Sequence, residues 1–259
     1  MIKEYALVTG ASKGIGKSMA YRLAKLGYSL LLVARNEGEL QQIAATLKQD
    51  FNVDVHYFAI DLSEISAPGE VANWCKKMNV PLTIFINNAG YGLWGKFGDT
   101  GISEQLNMLD LNTRAVVELT HLLLPVLKNQ PQSYILNVSS TAAYQAVPTF
   151  TIYAASKAFV LSFSRGLRYE LKNTNISVSC LCPGPTDTGF AHRAGMDALA
   201  ELAAKVNMTP DDVAGIALKG MFNKKTEIIP GFLNKLSSFG AKHLNKSLVE
   251  RISAGLYKL

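Results

Sequence analysis

Seven short apolar runs, separated by segments of helical length and period, most constrain how this chain folds. They cover residues 5–9, 28–34, 53–60, 82–87, 133–138, 176–181 and 226–229. Most are apolar throughout rather than alternating, which is typical of strands covered on both faces of a sheet. This alternation of strands and helices predicts one doubly wound parallel sheet with helices on both faces. No linker or repeat interrupts it, so residues 1–259 are predicted to form a single α/β domain of about seven strands.

Two of the helical segments begin with residues that favour a helix N-terminus. Ser103 is predicted to cap a long helix in which apolar residues recur near helical spacing, namely Leu106, Leu109, Val116, Leu119 and Leu123. Thr209 is predicted to begin another helix, because its hydroxyl is followed by Pro210 and then by two acidic residues at the positive end of the helix dipole.

The composition excludes several classes of protein. The chain has 259 residues, of which 48% are hydrophobic and 18% charged, and this mix rules out intrinsic disorder. Three cysteines without a C-x-x-C pair predict reduced thiols, and four scattered histidines predict no metal site. The net charge of +6 comes without a Lys/Arg block, so no nucleic-acid partner is expected. Without a leader or a bilayer-length apolar stretch, the expected location is the cytoplasm.

The first apolar run leads directly into a glycine-rich turn, Thr9-Gly10-Ala11-Ser12-Lys13-Gly14-Ile15-Gly16. Glycine allows a tight turn and a close approach of the backbone to a phosphate. The N-terminus of the following helix offers free N–H groups to a pyrophosphate. Between a strand and a helix, such a turn indicates a dinucleotide site in a Rossmann-type sheet. Ligands bind such sheets beyond the carboxyl ends of the strands, where the strand order reverses.

Four motifs in order resemble the signature motifs of the classical short-chain dehydrogenase/reductase family. They are residues 9–16, Asn87-Asn88-Ala89-Gly90, Tyr153-Ala154-Ala155-Ser156-Lys157 and Pro183-Gly184-Pro185-Thr186-Asp187-Thr188. The resemblance covers roughly residues 5–229. Within the family, the chain looks most like broad-specificity NADPH-dependent ketoreductases, hydroxysteroid dehydrogenases and long-chain ketoacyl reductases.

The resemblance implies a set of residues that bind an NADP(H) cofactor. Asp61 is similar to the family's adenine-binding Asp, residues 88–90 lie where the family's backbone passes the adenosine ribose, and Thr188 resembles a threonine near the nicotinamide half. The full predicted set is Gly10, Ser12, Lys13, Gly14, Ile15, Gly16, Arg35, Asp61, Leu62, Asn88, Ala89, Gly90, Tyr153, Lys157, Pro183, Gly184, Thr186 and Thr188.

Tyr153 and Lys157 are four residues apart, so they share one face of a helix. Reduction of a carbonyl requires a proton for the alkoxide that hydride transfer creates. The ordinary pKa of tyrosine, about 10, is too high for ready proton exchange near neutrality, but a nearby cation lowers it by favouring the phenolate. Tyr153 is therefore predicted to be the general acid in reduction and the base in oxidation, with Lys157 as the cation. The resemblance adds a bond from this lysine to the nicotinamide ribose.

Two further catalytic candidates follow from the resemblance. Ser139 and Ser140 both end the fifth strand, and the family's carbonyl-orienting serine stands thirteen residues before the tyrosine, which favours Ser140 and leaves Ser139 as the alternative. Asn112 resembles an asparagine that distorts a helix and holds a proton-relaying water. The predicted catalytic set is therefore Asn112, Ser140, Tyr153 and Lys157.

This set favours reversible, NADPH-dependent reduction of a ketone or aldehyde to an alcohol. The alternatives are a catalytically silent NADP(H)-binding sensor or scaffold, and an epimerase or dehydratase that uses the same residues. By resemblance, residues 189–208 form a substrate lid. Apolar residues in the lid and after the fourth strand predict a bulky apolar carbonyl substrate: Tyr91, Leu93, Trp94, Phe190, Met196, Leu199 and Leu202.

Preference for NADPH over NADH is predicted from the end of the second strand. An acidic residue there would bind a free 2′-hydroxyl and repel a phosphate. This strand ends instead in Val33-Ala34-Arg35-Asn36, which offers a cation and no acid. Lys13 adds a second cation from the glycine turn, and Ser12 adds a hydroxyl.

Residues 230–259 are predicted to be a basic, amphipathic extension. They hold five Lys or Arg residues and one Glu, and Leu244, Leu248, Ile252 and Leu256 recur every four residues. This stripe is expected to pack on the domain itself or on a partner subunit of a homodimer or homotetramer. The alternative is a helix that lies on an anionic membrane surface.

Overall fold

The computed structural model describes residues 3–195 and 207–256. Within them, seven parallel strands form one sheet: β1 (Tyr5–Thr9), β2 (Ser29–Ala34), β3 (Val55–Ala59), β4 (Leu82–Asn87), β5 (Ser133–Val138), β6 (Ile176–Leu181) and β7 (Glu227–Ile228). Each predicted run contains one of these strands, and the bounds differ by at most two residues. The predicted single-domain, Rossmann-type α/β fold is confirmed.

The strand order in the sheet is β3-β2-β1-β4-β5-β6-β7. The chain moves outward from β1 to β3 and then returns, so that β4 pairs with the other side of β1. This reversal opens a crevice at the carboxyl ends of β1 and β4, which is where doubly wound sheets bind ligands. The glycine turn that follows β1 and the segment that follows β4 meet there.

Successive residues of the central strands point into two separate cores. Leu7 and Phe85 are fully buried on one face of the sheet, and their neighbours Val8 and Ile86 are fully buried on the other. Because side chains alternate between faces along a strand, a sheet that is covered on both sides requires continuously apolar strands. This explains the unbroken apolar runs of the sequence.

Helices cover both faces of the sheet. They are α1 (Gly14–Lys25), α2 (Glu37–Phe51), α3 (Ala67–Met78), α4 (Ile102–Leu109), α5 (Ala115–Lys128), α6 (Thr151–Glu170), the short α7 (Phe190–Arg193), α8 (Pro210–Phe222), α9 (Phe232–His243) and α10 (Lys246–Leu256). Helices α1, α2 and α8 pack on one face, and α3, α5 and α6 on the other. The predicted start of α8 is confirmed, because Thr209 Oγ1 accepts a hydrogen bond from the Asp212 N–H at 3.1 Å.

The predicted long helix around residue 103 is wrong in two respects. It begins at Ile102, after Gly101, so Ser103 is not its cap. It is also interrupted by a π-helical turn, Asp110–Arg114, that separates α4 from α5. A π-helical turn holds an extra residue and therefore rotates the two halves relative to each other. Leu106 is 52% exposed, whereas the apolar face of α5 is buried.

The C-terminal extension is helical, as predicted, but the described part of its apolar stripe is not packed on the domain. It forms two helices, α9 and α10, and Leu244 lies at their junction. Leu244, Leu248 and Ile252 are 50%, 48% and 52% exposed, so this part of the predicted stripe does not pack on the domain. The buried positions are instead small residues and one valine, namely Ser238, Ala241, Val249 and Ser253. The side chain of Leu256 lies outside the described residues.

Candidate active site

The glycine turn between β1 and α1 is closely packed. Gly10 and Gly14 have positive φ angles of 64° and 55°, a conformation that favours glycine. A Cβ at Gly16 would clash with the carbonyl oxygen of Gly10, and one at Gly14 would lie 2.8 Å from the Cβ of Thr188. These close approaches explain the three glycines. Ile15 is half-buried against the core that α1 covers.

Thr9 and Asn88 join the glycine turn to the end of β4. The hydroxyl oxygen of Thr9 accepts hydrogen bonds from the N–H groups of Asn88 and Ala89, each at 3.0 Å. The side-chain amide of Asn88 donates to the carbonyl oxygens of Thr9 and Gly10 at 2.9 and 3.2 Å. The Asn88 side chain therefore holds the two walls of the crevice together.

Arg35 and Asp61 meet at the ends of β2 and β3. Arg35 Nη1 lies 3.6 Å from Asp61 Oδ2, and the N–H and hydroxyl of Ser63 donate to Asp61 Oδ1 at 3.0 and 2.8 Å. Burial by itself raises the pKa of Asp61, but the bonds from Ser63 and the charge of Arg35 lower it overall. The side chain of Leu62 is buried in the core, so only its backbone is available to a ligand.

The structure adds an acid that the sequence analysis missed. Glu39, in the first turn of α2, forms an ion pair with Lys13 at 2.8 Å, and the hydrogen bond from Lys13 lowers the pKa of Glu39. Lys13 is therefore partnered by an acid. A cleft of about 520 Å³ runs past this pair, and its lining includes Ser12, Lys13, Gly14, Glu39, Asp187 and Thr188.

Residues 183–188 form a wall that faces the glycine turn. The carbonyl oxygen of Pro183 accepts a hydrogen bond from the Thr141 N–H at 2.9 Å, which connects this wall to the segment after β5. Thr186 Oγ1 donates to the carbonyl oxygen of Gly184 at 3.0 Å. Thr188 Oγ1 accepts from the Phe190 N–H at 3.3 Å, at the start of α7.

Tyr153 and Lys157 lie one turn apart on α6, and both are buried, at 7% and 5% exposure. The Nζ of Lys157 is 5.7 Å from the centre of the Tyr153 ring. It donates a hydrogen bond to the carbonyl oxygen of Val138 at 3.1 Å, which ties it to the end of β5. Burial lowers the pKa of Lys157 to about 8.

The two serines after β5 have different surroundings. The hydroxyl of Ser139 donates to the carbonyl oxygen of Lys157 at 2.6 Å and so joins β5 to α6. Ser140 Oγ accepts from the Ala142 N–H at 3.1 Å, at the start of the 3₁₀ turn Thr141–Tyr144. Accepting that bond leaves the Ser140 O–H able to donate to a ligand. These contacts favour Ser140 over Ser139 as the substrate-facing serine.

Asn112 is fully buried in the π-helical turn. Its amide donates to the carbonyl oxygen of Tyr91 at 2.9 Å and to Ser156 Oγ at 3.1 Å, and its oxygen accepts from the Tyr91 N–H at 3.2 Å. Gly90 separates Asn112 from Lys157. A Cβ at Gly90 would lie 2.9 Å from Asn112 Oδ1 and 3.2 Å from Lys157 Nζ. The π-helical turn distorts the helix around Asn112, as the resemblance implies.

Two aromatic rings surround Tyr153. The Phe150 ring stacks on it with 4.3 Å between centroids, and the Phe190 ring of α7 lies 5.4 Å away. Gly92 makes room for both rings, because a Cβ there would lie 2.5 Å from Phe150 Cζ and 2.9 Å from Phe190 Cζ. The surroundings of the predicted proton donor are therefore largely aromatic.

Only the two ends of the predicted lid, residues 189–195 and 207–208, are described; Met196, Leu199 and Leu202 lie outside the described residues. The Trp94 N–H donates to the carbonyl oxygen of Ala194 at 2.9 Å and so fastens α7 to the segment after β4. The guanidinium of Arg193 lies 4.4 Å from the centre of the Tyr91 ring. Burial and the nearby charge of Arg35 lower the pKa of Arg193. Arg193 is the second site residue that the sequence reasoning did not identify. The sequence feature that could have indicated it is a cation within the apolar predicted lid.

Comparison with known proteins assigns this arrangement to a family. The family profile described as short chain dehydrogenase matches residues 4–199. The chain belongs to the short-chain dehydrogenase family. This short-chain dehydrogenase is an oxidoreductase of the classical type that the four motifs predict, and it uses a nicotinamide nucleotide cofactor.

Two relatives are reductases of ketoacyl compounds by name. The chain is 33% identical to very-long-chain 3-oxoacyl-CoA reductase-A of Danio rerio over 184 residues, which are 70% of this chain and 57% of the relative. It is 31% identical to the ketoacyl reductase HetN of Nostoc sp. over 228 residues, which are 86% of this chain and 77% of the relative. The chain thus spans little more than half of the length of the Danio rerio protein.

A solved structure shares the fold over nearly the whole length. The short-chain dehydrogenase from Sphingobium yanoikuyae in complex with NADPH has a TM-score of 0.82 and 28% identity, and the match covers 95% of this chain and 97% of that chain. Among the described helices of this short-chain dehydrogenase, none has the length and apolar character needed to cross a bilayer.

Proposed function

We propose that this short-chain dehydrogenase reduces a ketone or aldehyde to an alcohol with NADPH, and catalyses the reverse oxidation. The observation that carries the proposal is the buried Lys157 ammonium beside the Tyr153 ring, at the strand end where Ser140 also lies. Burial of a charge is unfavourable for folding, and a titratable group with a perturbed pKa in a crevice is typical of a functional site.

Tyr153 supplies the proton in this reaction. When bound, a nicotinamide cofactor would supply the hydride for the carbonyl carbon, and the alkoxide so formed would need a proton. Tyr153 donates its hydroxyl proton to that oxygen, and the positive charge of Lys157 stabilises the resulting phenolate. In the reverse direction, the phenolate takes the proton from the alcohol.

Ser140 and Asn112 support this transfer in different ways. Ser140 donates a hydrogen bond to the substrate oxygen, which orients the carbonyl and stabilises the negative charge that develops there. Asn112 positions the segment after β4 through its two bonds with the Tyr91 backbone. Because Gly90 has no side chain, Asn112 and Lys157 can both approach its backbone closely, and the resemblance implies a water near them that relays protons to the lysine.

The crevice between β1 and β4 suits a dinucleotide. The N–H groups at the start of α1 would hold the pyrophosphate, since glycines allow close approach there. Asp61 would hydrogen-bond the adenine, Lys157 the nicotinamide ribose, and Thr188 the nicotinamide half. The cleft of about 520 Å³ beside the glycine turn is lined by Ser12, Lys13 and Thr188, so it adjoins the proposed pyrophosphate site.

The proposed preference for NADPH rests on Arg35, whose side chain is 56% exposed at the end of β2. Its partner Asp61 is 3.6 Å away, so the pairing is loose enough for a 2′-phosphate to compete for the guanidinium. Lys13 and Glu39 form a mostly exposed ion pair, and exposed ion pairs contribute little free energy. A phosphate can therefore also recruit Lys13. The Sphingobium yanoikuyae relative, which was solved with NADPH, is consistent with this choice.

The proposed substrate is a bulky, mainly apolar carbonyl compound. The support is the position of Phe150 and Phe190 around Tyr153, because aromatic rings favour burial of apolar groups. The names of the two ketoacyl reductase relatives point in the same direction, towards ketones on an acyl chain.

The test is a panel of acyl, aryl and steroid-like ketones and aldehydes, with acetone as the small control and NADPH oxidation as the readout. We expect the bulky apolar compounds to be reduced with higher kcat/KM than acetone. Saturable NADPH binding without turnover of any compound would contradict the proposal and support a sensor or scaffold. Conversion of an alcohol or ketone without net cofactor consumption would instead support an epimerase or dehydratase.

A further inference from the structure

Helices α9 and α10 present a large apolar surface to solvent. Of the fifteen exposed large hydrophobic side chains among the described residues, seven lie within residues 232–252. We call them the C-terminal apolar surface: Phe232 (78% exposed), Leu233 (65%), Leu236 (58%), Phe239 (60%), Leu244 (50%), Leu248 (48%) and Ile252 (52%). Scattered exposed apolar residues are ordinary, but this concentration of them in one stretch of the chain indicates an interaction site.

The apolar residues of α9 occupy one side of the helix. At about 100° per residue, Phe232, Leu236 and Phe239 fall within an arc of about 60°. Ala241, which is 5% exposed and faces the body of the protein, lies roughly opposite this arc. The outward face is therefore the more apolar one, which is the reverse of an ordinary surface helix.

Contacts with the body hold α9 in this orientation. Asn234 packs against Gly184 so closely that a Cβ at that glycine would clash with it. Lys242 Nζ lies 3.0 Å from Oε2 of Glu227 in β7 and 4.5 Å from the centre of the Tyr144 ring. Because of these contacts, α9 cannot turn its phenylalanines inward without breaking the ion pair.

The two C-terminal helices also carry exposed cations. Lys235, Lys246 and Arg251 are exposed, and none of them has an ion-pair partner in the described part of the chain. Long basic side chains can lie along an apolar surface and place their charges at its edge. Helices that expose both apolar side chains and unpaired cations complement a bilayer surface, where anionic headgroups cover acyl chains.

The same charges disfavour a second copy of the chain as the occupant. A two-fold symmetric contact places the same patch of both subunits face to face. It would gather six of these cations, three from each subunit, at one interface with Glu250 as the exposed acid of the same helices, and an excess of like charges across an interface is unfavourable.

We propose that the C-terminal apolar surface binds the interface of anionic lipid bilayers. The side chains of Phe232, Leu236 and Phe239 enter the boundary between headgroups and acyl chains, and Lys235, Lys246 and Arg251 contact the anionic headgroups. The protein is then held at the membrane surface without crossing the bilayer.

The experiment is flotation of the full chain with vesicles of phosphatidylcholine alone, and with vesicles of equal parts phosphatidylcholine and phosphatidylglycerol. We expect binding to the anionic vesicles at low salt and weaker binding at high salt, because salt screens the headgroup charges. Neutralising Lys235, Lys246 and Arg251 together, each to Gln, should weaken binding by about fivefold per residue.

A matched pair of triple variants tests the apolar contribution. Phe232→Ser/Leu236→Ser/Phe239→Ser should reduce vesicle binding by on the order of 100-fold or more, since each side chain loses its apolar burial. Leu26→Ser/Ile65→Ser/Phe97→Ser removes three comparably exposed apolar side chains elsewhere and should leave binding unchanged. Because all six side chains are exposed, both variants should retain the wild-type melting temperature.

A second measurement does not depend on truncating side chains. Phe239→Trp keeps the surface apolar, and lipids brominated on the acyl chains should quench the fluorescence of the new tryptophan relative to wild type. Equal binding to neutral and anionic vesicles, no binding to either, or no additional quenching would each overturn the proposal. So would sedimentation showing a wild-type dimer that the α9 triple variant converts to a monomer, which would assign the surface to a second copy.

Discussion

The charge of Lys157 is the residue-level feature on which the proposed chemistry most depends. Burial lowers its pKa from 10.5 to about 8, so the ammonium loses its proton as the pH rises through 8 and no longer stabilises a phenolate. We therefore expect the single-turnover rate of carbonyl reduction at saturating NADPH to fall above about pH 8. In Lys157→Met the rate should be low at every pH and should show no fall near pH 8. The same fall near pH 8 in that variant would show that another group is responsible for it.

The buried charge of Lys157 should lower the free energy of unfolding at neutral pH. Between about pH 8 and 10.5 the unfolded chain binds a proton at Lys157 that the folded chain has released, so the free energy of unfolding rises with pH in this range. The lowered pKa of Lys157 corresponds to a loss of roughly 3 kcal/mol in the free energy of unfolding at pH values where the folded chain keeps the charge. We expect Lys157→Met to be more stable than wild type to urea at pH 7. Lys172→Met, which removes an exposed amine 4.0 Å from the Tyr169 ring centre, should change stability by less than about 1 kcal/mol. A destabilised Lys157→Met would contradict this account.

Arg35 and Glu39 should act on cofactor choice in opposite directions. Loss of a charge-assisted hydrogen bond in Arg35→Ala should lower kcat/KM for NADPH by about 10- to 100-fold, with little change for NADH. Glu39→Gln should raise kcat/KM for NADPH by about fivefold at most, because it frees Lys13 from an exposed ion pair. The measurement is kcat/KM for both cofactors in each variant.

The matched control is Glu37→Gln, because Glu37 lies in the same turn of α2 but forms no ion pair within the described residues. It should leave the ratio of the two efficiencies close to that of wild type. Equal efficiencies with NADPH and NADH in wild type, or an equal loss with both cofactors in Arg35→Ala, would contradict the proposed role of the guanidinium.

Local spacing explains which site residues could be found from the sequence. Tyr153 and Lys157 share a helical face because they are four residues apart, and the offset from Tyr153 selected Ser140. Glu39 and Arg193 were missed because their positions depend on contacts between separate segments, namely the ion pair with Lys13 and the packing on Tyr91. Spacing within one element carries no information about such contacts.

At the scale of elements, strands were predicted more accurately than helices. A strand buried on both faces is apolar along its whole length, so its bounds are visible in the sequence. The spacing near Ser103 predicted one continuous helix, whereas the resemblance implied a distortion at Asn112, where the π-helical turn Asp110–Arg114 changes the periodicity. Hydrogen bonds from Asn112 to Tyr91 and Ser156 stabilise that turn. Because these partners are far from Asn112 in the sequence, the periodicity of the helix does not indicate them.

The start of α8 provides an element-level prediction. Thr209 Oγ1 accepts a hydrogen bond from the Asp212 N–H, so Thr209→Ala should lower the free energy of unfolding by about 1 kcal/mol. Ser66 precedes α3, but its hydroxyl bonds Glu70 and caps no backbone N–H. Ser66→Ala is therefore the control and should change stability by less than about 0.5 kcal/mol. Equal losses in urea denaturation of the two variants would contradict the capping role.

At the scale of the whole molecule, the sheet was predictable and the orientation of the C-terminal helices was not. The order of motifs along the chain implied the parallel topology and the position of the crevice. Which face of α9 turns outward depends on Asn234 against Gly184 and on Lys242 with Glu227. The periodicity of Leu244, Leu248 and Ile252 suggested a buried stripe, but only the body of the protein determines which residues it covers.

The most direct test of the proposed reduction is single-turnover hydride transfer from NADPH to a ketone in wild type, Tyr153→Phe and the surface control Tyr169→Phe. We expect Tyr153→Phe to bind NADPH within a few fold of wild type, because the glycine turn, Arg35 and Lys157 are unchanged. Its rate of NADPH oxidation should fall by about 100- to 10,000-fold, since the proton donor is lost. Tyr169→Phe should keep the wild-type rate. Hydride transfer at the wild-type rate in Tyr153→Phe would contradict the assignment of Tyr153 as the proton donor.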